Sequence, residues 1–163
     1  MKYLLAILML LTVPAAAHDM THEGIVIDHP IMHPALGNPT MTVGYMRLLN
    51  KTDHADRLVA VRSDIADRIE IHTHIMDGEI MRMRRVDGVE VPANGKVAFA
   101  PGGYHLMIFG LREKLIVGEE IPVELEFERA GTVTAPFWVE ARTAPAPADE
   151  MKHDGHGGHG GHH

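Results

Sequence analysis

The sequence predicts an all-β protein, an antiparallel β-sandwich, from three observations. Short apolar-rich segments recur at close intervals between about Gly24 and Glu140. Turn-forming pairs separate them, such as Asp77-Gly78 and Asn94-Gly95. No segment shows a convincing helical period over three turns. Regular short strands in a chain of this length are typical of a sandwich.

Nine strands are predicted in this region. The clearest is Pro122–Glu128, where apolar and acidic residues alternate as they do in a strand with one buried face. The full set is Gly24–Asp28, Thr42–Asn50, Arg57–Arg62, Arg68–Thr73, Ile80–Val86, Lys96–Ala100, Tyr104–Phe109, Pro122–Glu128 and Val133–Glu140.

The two ends of the chain differ from the middle. Residues 1–17 have a positive start, a short apolar run and an Ala-Ala-Ala site, which predicts a secretory signal peptide, with a retained anchor as the alternative. Residues 18–141 then form the β-sandwich domain. Residues 142–163 form a Pro/Ala linker and a disordered Gly/His-rich tail, because that composition cannot build a core. These features predict an exported, periplasmic protein without membrane insertion.

Composition excludes several functions. The formal net charge of −7 argues against nucleic acid as a partner. The chain has no cysteine, which excludes blue-copper electron transfer, iron–sulfur clusters and thiol catalysis. It has 13 His and 11 Met but only 5% aromatic residues. Both of the enriched side chains bind metals.

Four of these side chains form the predicted metal site: His72, Met83, His105 and Met107. Residues two apart in a strand share a face, so His105 and Met107 point together, away from Tyr104, Leu106 and Ile108. His72 lies opposite the packing side chains of its own strand in the same way. Two imidazoles and two thioethers make a soft, neutral set that favours Cu(I), with no carboxylate included.

The spacing of the four residues resembles the PCu(A)C class of periplasmic copper chaperones. The gaps are ten residues, twenty-one residues and one residue, as in that family's signature. The likeness extends from about Ile25 to Ala141 and includes Ile27-Asp28-His29-Pro30, Gly44-Tyr45-Met46, Met76-Asp77-Gly78, Met81-Arg82-Met83-Arg84 and Pro101-Gly102-Gly103-Tyr104-His105-Leu106-Met107.

The resemblance implies a cupredoxin-like β-sandwich with an exposed Cu(I) site at one end. It also implies delivery of copper toward respiratory oxidase assembly. We expect the recipient to be an apo copper protein of the respiratory oxidase or another copper chaperone, and we expect this chain to be a monomer and not an enzyme. One departure from the family pattern is Ile31-Met32-His33. His74 and Met81 are extra donors close to the signature.

Two further groups of histidines are candidate ligands for other metals. The tail residues His153, His156, His159, His162 and His163 are separated by glycines and suit Cu(II), zinc or nickel, with a purification tag as the alternative. The N-terminal part offers His18, Met20, His22, His29, Met32 and His33. A free amine on His18 would allow Cu(II) chelation there, although an incidental His-rich start is the simpler interpretation.

Three functions therefore compete. The leading prediction is a chaperone that holds Cu(I) and delivers it. A copper-storage or resistance protein needs the same ligands, so the sequence does not separate the two. A copper-dependent redox enzyme using His18 is the third, and hydrolysis has little support because Ser63 is the only serine and lies in no nucleophile turn.

Overall fold

The computed structural model describes residues 19–35, 40–78 and 80–142. Within these ranges the chain forms eleven strands and no helix, so none of these residues belongs to a helix long and apolar enough to cross a membrane. The predicted signal peptide, His18, most of the linker and the tail histidines lie outside the described residues. Their roles, and the proposed domain bounds, stay predictions.

The strands follow one another through short turns, and their bounds are β1 Asp19–His22, β2 Ile25–Met32, β3 Met41–Asn50, β4 Asp56–Arg62, β5 Arg68–Asp77, β6 Ile80–Arg85, β7 Val89–Val91, β8 Lys96–Phe99, β9 His105–Phe109, β10 Glu120–Phe127 and β11 Gly131–Val139.

These strands confirm the all-β fold class. The strand order is β6-β5-β9-β3-β2-β11-β10-β4-β7, with β1 paired to β2 and β8 paired to β3. Among the described strands the pairing is antiparallel except between β2 and β11, which run parallel at Trp138 and Val139. The sheet folds back on itself, because β4 contacts β5, and β7 contacts β3 and β8.

The core lies between the two halves of this folded sheet. Alternate residues of β10 and β11 are buried, including Leu125 and Phe137, as the apolar/acidic alternation predicts. Ile27 and Leu48 are fully buried on β2 and β3. Leu106 and Ile108 of β9 belong to the same core, so the predicted inward face of β9 is confirmed.

The long hairpin of β5 and β6 stands at one end of the strand order, with β9 on its inner side. Its register pairs His72 with Arg85, His74 with Met83 and Met76 with Met81. On the other side of β5, His72 pairs with His105 and Glu70 with Met107. Because paired residues share a face of the sheet, the soft side chains of three strands occupy one face of this corner.

Candidate metal centre

His105 and Met83 make the closest contact between predicted ligands. His105 Nε2 lies 3.3 Å from Met83 Sδ. His105 Nδ1 lies 3.0 Å from the carbonyl oxygen of Gly103. Because a carbonyl oxygen only accepts hydrogen bonds, Nδ1 is the donor and carries the proton of the neutral ring. Burial lowers the pKa of His105, which favours that neutral form. The lone pair of Nε2 therefore points toward a thioether sulfur.

This spacing fits two ligands of one metal ion. Bonds of about 2.0 Å to nitrogen and about 2.3 Å to sulfur, as known for zinc, put two tetrahedral ligands about 3.5 Å apart. The observed 3.3 Å separation of Nε2 and Sδ is close to that value. No hydrogen bond can join an unprotonated nitrogen to a thioether, so the contact leaves both lone pairs free for a shared ion.

His72 lies beside this pair and is held by a carboxylate. Its Nε2 donates a hydrogen bond of 2.8 Å to Oε2 of Glu70. That bond, followed by the hydrogen bond from Arg68, lowers the pKa of Glu70, so the acid is ionised. The other ring nitrogen of His72, Nδ1, is buried and has no hydrogen-bond partner. A buried nitrogen of this kind is a candidate donor to a metal, because it otherwise stays unsatisfied.

The rings of His72 and His105 face each other across the β5–β9 pair. Their centroids are 6.0 Å apart, with the rings tilted at 47°. Met107 lies two residues beyond His105 on the same face of β9, opposite Glu70. The structure thus brings His72, Met83 and His105 into one cluster, with Met107 in the adjacent position along β9.

Exposure differs sharply among the four. His105 is 4% exposed and Met107 is 8% exposed, whereas Met83 is 49% exposed. The resemblance implied an exposed site, and only Met83 of the four is open to solvent. β9 lies between β3 and β5, so Met107 is flanked by Val43 and Glu70, and His105 is flanked by His72. A metal held here would be reached past Met83.

The extra donors near the signature lie in different environments. The ring of His74 is 5.2 Å from that of His105, closer than the ring of His72. His74 Nδ1 is buried and has no hydrogen-bond partner, like that of His72. Met81 lies two residues further out on the hairpin than Met83, opposite Met76.

The N-terminal candidates have structural partners instead. Met32 is fully buried in the core. His22 Nε2 is 3.0 Å from the carbonyl oxygen of Ala130, and His33 Nδ1 is 2.9 Å from that of Glu140. His29 lies 3.6 Å from the Glu140 carboxylate. Met20 packs against the core. These contacts account for the described N-terminal donors without a metal, whereas His18 lies outside the described residues.

Glu70 is the residue of this corner to which sequence reasoning gave no role, since it assumed a ligand set that includes no carboxylate. The available signal was Glu70-Ile71-His72, which puts an acid and an imidazole on the same face of one strand. Within the described ranges, no three His, Asp or Glu side chains are arranged to hold a metal ion. The candidate donor set of this corner therefore combines imidazoles with thioethers.

Residues 25–139 match the LpqE-like family, so the chain belongs to that family. A curated relative is Lxx21020 of Leifsonia xyli subsp. xyli, 28% identical over 93 residues that make up 56% of each chain. The chain spans about half the length of the curated relatives it matches.

Solved structures confirm the resemblance to PCuAC proteins. The copper-bound PCuAC domain of PmoF2 is 31% identical, with a TM-score of 0.67, covering 77% of this chain and 99% of that domain. Apo-DR1885 from Deinococcus radiodurans has a TM-score of 0.59 at 22% identity, covering 87% of this chain and 95% of that protein, a likeness of fold alone.

Proposed function

We propose that this chain is an extracytoplasmic copper chaperone. It binds Cu(I) through His72, Met83, His105 and Met107 and transfers the ion to another protein. The observation that carries the proposal is the contact of 3.3 Å between His105 Nε2 and Met83 Sδ, since both atoms present lone pairs to one point. The copper-bound state of the PmoF2 domain supports the choice of metal.

The donor types support the monovalent ion. Thioether sulfur favours Cu(I), whereas zinc, magnesium and calcium prefer nitrogen or oxygen donors. Uncharged ligands leave the positive charge of the ion unneutralised, which limits how tightly it is held. Glu70, ionised and 2.8 Å from His72 Nε2, compensates part of that charge through the imidazole.

The uneven exposure of the ligands supports transfer. Met83 is the ligand that solvent reaches, whereas His105 and Met107 are buried. An acceptor could therefore replace Met83 first and draw copper out by ligand exchange. Such an exchange involves no redox change and no catalytic residue. The recipient we favour is an apo copper protein of a respiratory oxidase or another copper chaperone, approached by a monomeric donor.

The test is a Cu(I) titration against a competing Cu(I) chelator. We expect one tight site in the intact chain and a loss of about 100-fold, or about 2.7 kcal/mol, when Met83→Leu and Met107→Leu are combined. Met46→Leu is the matched control, because Met46 is buried in the core, on the face of the sheet opposite to these residues. Equal affinity of the intact chain and the double variant would overturn the site.

A copper-storage protein would bind through the same ligands, and transfer separates it from a chaperone. Mixing the Cu(I)-loaded chain with an apo oxidase copper domain should move the metal to that domain. A storage protein should keep it.

The tail proposal is independent of this site. We propose that His153, His156, His159, His162 and His163 bind Cu(II), because flexible glycines allow several imidazoles to meet on one ion. A chain ending at Ala141 should lose the Cu(II) sites and keep the Cu(I) site. Unchanged Cu(II) stoichiometry would contradict the proposal.

A further inference from the structure

The hairpin of β5 and β6 carries soft donors beyond the four proposed ligands. On the face that holds His72, the next cross-strand pair is His74 with Met83, and the pair after that is Met76 with Met81. Directly paired side chains have Cβ atoms about 4.5–5.5 Å apart. The soft side chains thus form a continuous row from His105 to the end of the hairpin.

Met76 and Met81 are not packing residues. They are 63% and 60% exposed, and neither belongs to the core or packs against it. Single exposed apolar residues are common and need no explanation. A directly paired set of two exposed methionines is different, because their flexible side chains let both sulfur atoms reach one point.

No cationic side chain of β5 or β6 lies beside this pair on its own face of the hairpin. Arg82 donates to the carboxylate of Asp77 at 2.9 Å, and this ion pair lies on the opposite face of the hairpin. Arg85, the cationic side chain of β6 on the thioether face, lies at the far end of β6, beside Glu70 at 3.9 Å. No cationic side chain of β5 or β6 therefore separates Met76 and Met81 from the cluster.

His74 connects the two ends of the row. It pairs with Met83, and its ring lies 5.2 Å from that of His105. Its buried Nδ1 has no hydrogen-bond partner, like the Nδ1 of His72, whereas Nε2 of His72 and Nδ1 of His105 each have one. An unsatisfied nitrogen between two sets of thioethers is a donor available to an ion that passes from one set to the other.

We propose that Met76 and Met81 form a second, weaker Cu(I) subsite, joined to the His105 cluster by His74 and Met83, where copper enters and leaves the protein. Each step replaces one neutral ligand of Cu(I) by another, so no electron or proton moves. The proposal extends the proposed function, but it concerns separate residues and can fail alone.

The experiment is a titration of the full chain, labelled at its methionine methyl groups, with Ag(I) as a redox-inert substitute for Cu(I). We expect the first equivalent to shift the methyl signals of Met83 and Met107. Further metal should shift those of Met76 and Met81. Met41 is the internal control for the second event, because it is an exposed methionine paired with Phe109, at the opposite end of β5 from Met76.

The variant Met76→Leu with Met81→Leu sharpens the test, since leucine keeps the apolar volume without the sulfur. We expect the second binding event to disappear, and release of Cu(I) to a chelator to slow by about tenfold, which is about 1.4 kcal/mol in activation free energy. The affinity of the first equivalent should change by less than about threefold.

Two results would overturn the subsite. One is the absence of any shift at Met76 and Met81 while Met83 and Met107 respond. The other is a shift of the Met41 signal in the second event equal to those of Met76 and Met81, which would show unspecific thioether binding. Shifts at Met76 and Met81 without any at Met83 and Met107 would instead support the subsite and contradict the four-ligand site of the proposed function.

Discussion

Methionine occupies two opposite environments in this molecule. Met32 and Met46 are 0% and 1% exposed within the core. Met76, Met81 and Met83 lie on one face of the β5–β6 hairpin, half-exposed or more. In the core the thioether acts as a flexible apolar filler. On the hairpin little apolar surface is buried, so packing does not explain three methionines there, whereas the metal binding we propose would.

Histidine shows the same contrast. His22 and His33 each contact a distant backbone carbonyl, which ties the ring to the fold. His72 and His74 each keep one buried nitrogen without a partner. The difference teaches that residue counts do not identify ligands. Unsatisfied donor atoms in one cluster are the better ground on which to propose them.

The largest effect should come from shortening a core methionine. Met32→Ala removes a fully buried side chain, so we expect a loss of about 2–5 kcal/mol in the free energy of unfolding. Copper affinity of the folded protein should not change. Denaturant unfolding measures the first quantity and chelator competition the second.

The variant to compare with Met32→Ala is Met83→Ala, on the exposed hairpin. We expect its unfolding free energy to stay within about 0.5 kcal/mol of the parent, since it leaves no core cavity. Its Cu(I) affinity should fall. If the two variants lost stability equally, the distinction between packing and binding methionines would be wrong.

A smaller effect is expected from Glu70→Gln. Gln keeps the size of the side chain but lacks the charge that orients the His72 ring and compensates the bound cation. We expect Cu(I) affinity to fall by about 10–100-fold, the range for partners of metal-bound histidines. The nitrogen chemical shifts of His72 should also show that the proton is no longer held on Nε2 alone.

Glu124→Gln is the control for net charge, because Glu124 is an exposed acid on β10. It should leave Cu(I) affinity unchanged. An equal loss in both variants would mean that Glu70 acts through general charge and not through His72.

The smallest effect should come from an ion pair away from the cluster. Arg47 Nε donates to Asp28 Oδ2 at 2.5 Å, and that bond lowers the pKa of Asp28. A carboxyl with a lowered folded pKa contributes stability above its unfolded pKa of about 3.9 and loses it as pH falls through the folded value.

Arg47→Gln removes the cause of that shift. We expect the stability difference between the parent and the variant to be present at neutral pH and to shrink as pH falls below about 4. Carboxyl titration by NMR should show a higher pKa for Asp28 in the variant. A pH-independent difference would show that the pair contributes through packing alone.

Most of the fold could be predicted from the sequence. The nine predicted strands are present, because apolar alternation and Asn-Gly or Asp-Gly turns are local signals. Two strands were not predicted. Asp19–His22 is polar and partly exposed, and Val89–Val91 is too short to show a period. β5 also continues beyond its predicted end at Thr73 to Asp77, through a segment in which apolar and polar residues do not alternate.

The sequence by itself determined the chemical character of the candidate site. The types of His72, Met83, His105 and Met107 and their alternation along each strand are local, since a strand turns successive side chains to opposite faces. Only the tertiary structure decided that His72 faces His105, that His74 faces Met83, and that Glu70 holds His72. Cross-strand register depends on turns and on core packing between segments distant along the chain, and a shift of one residue would invert every face.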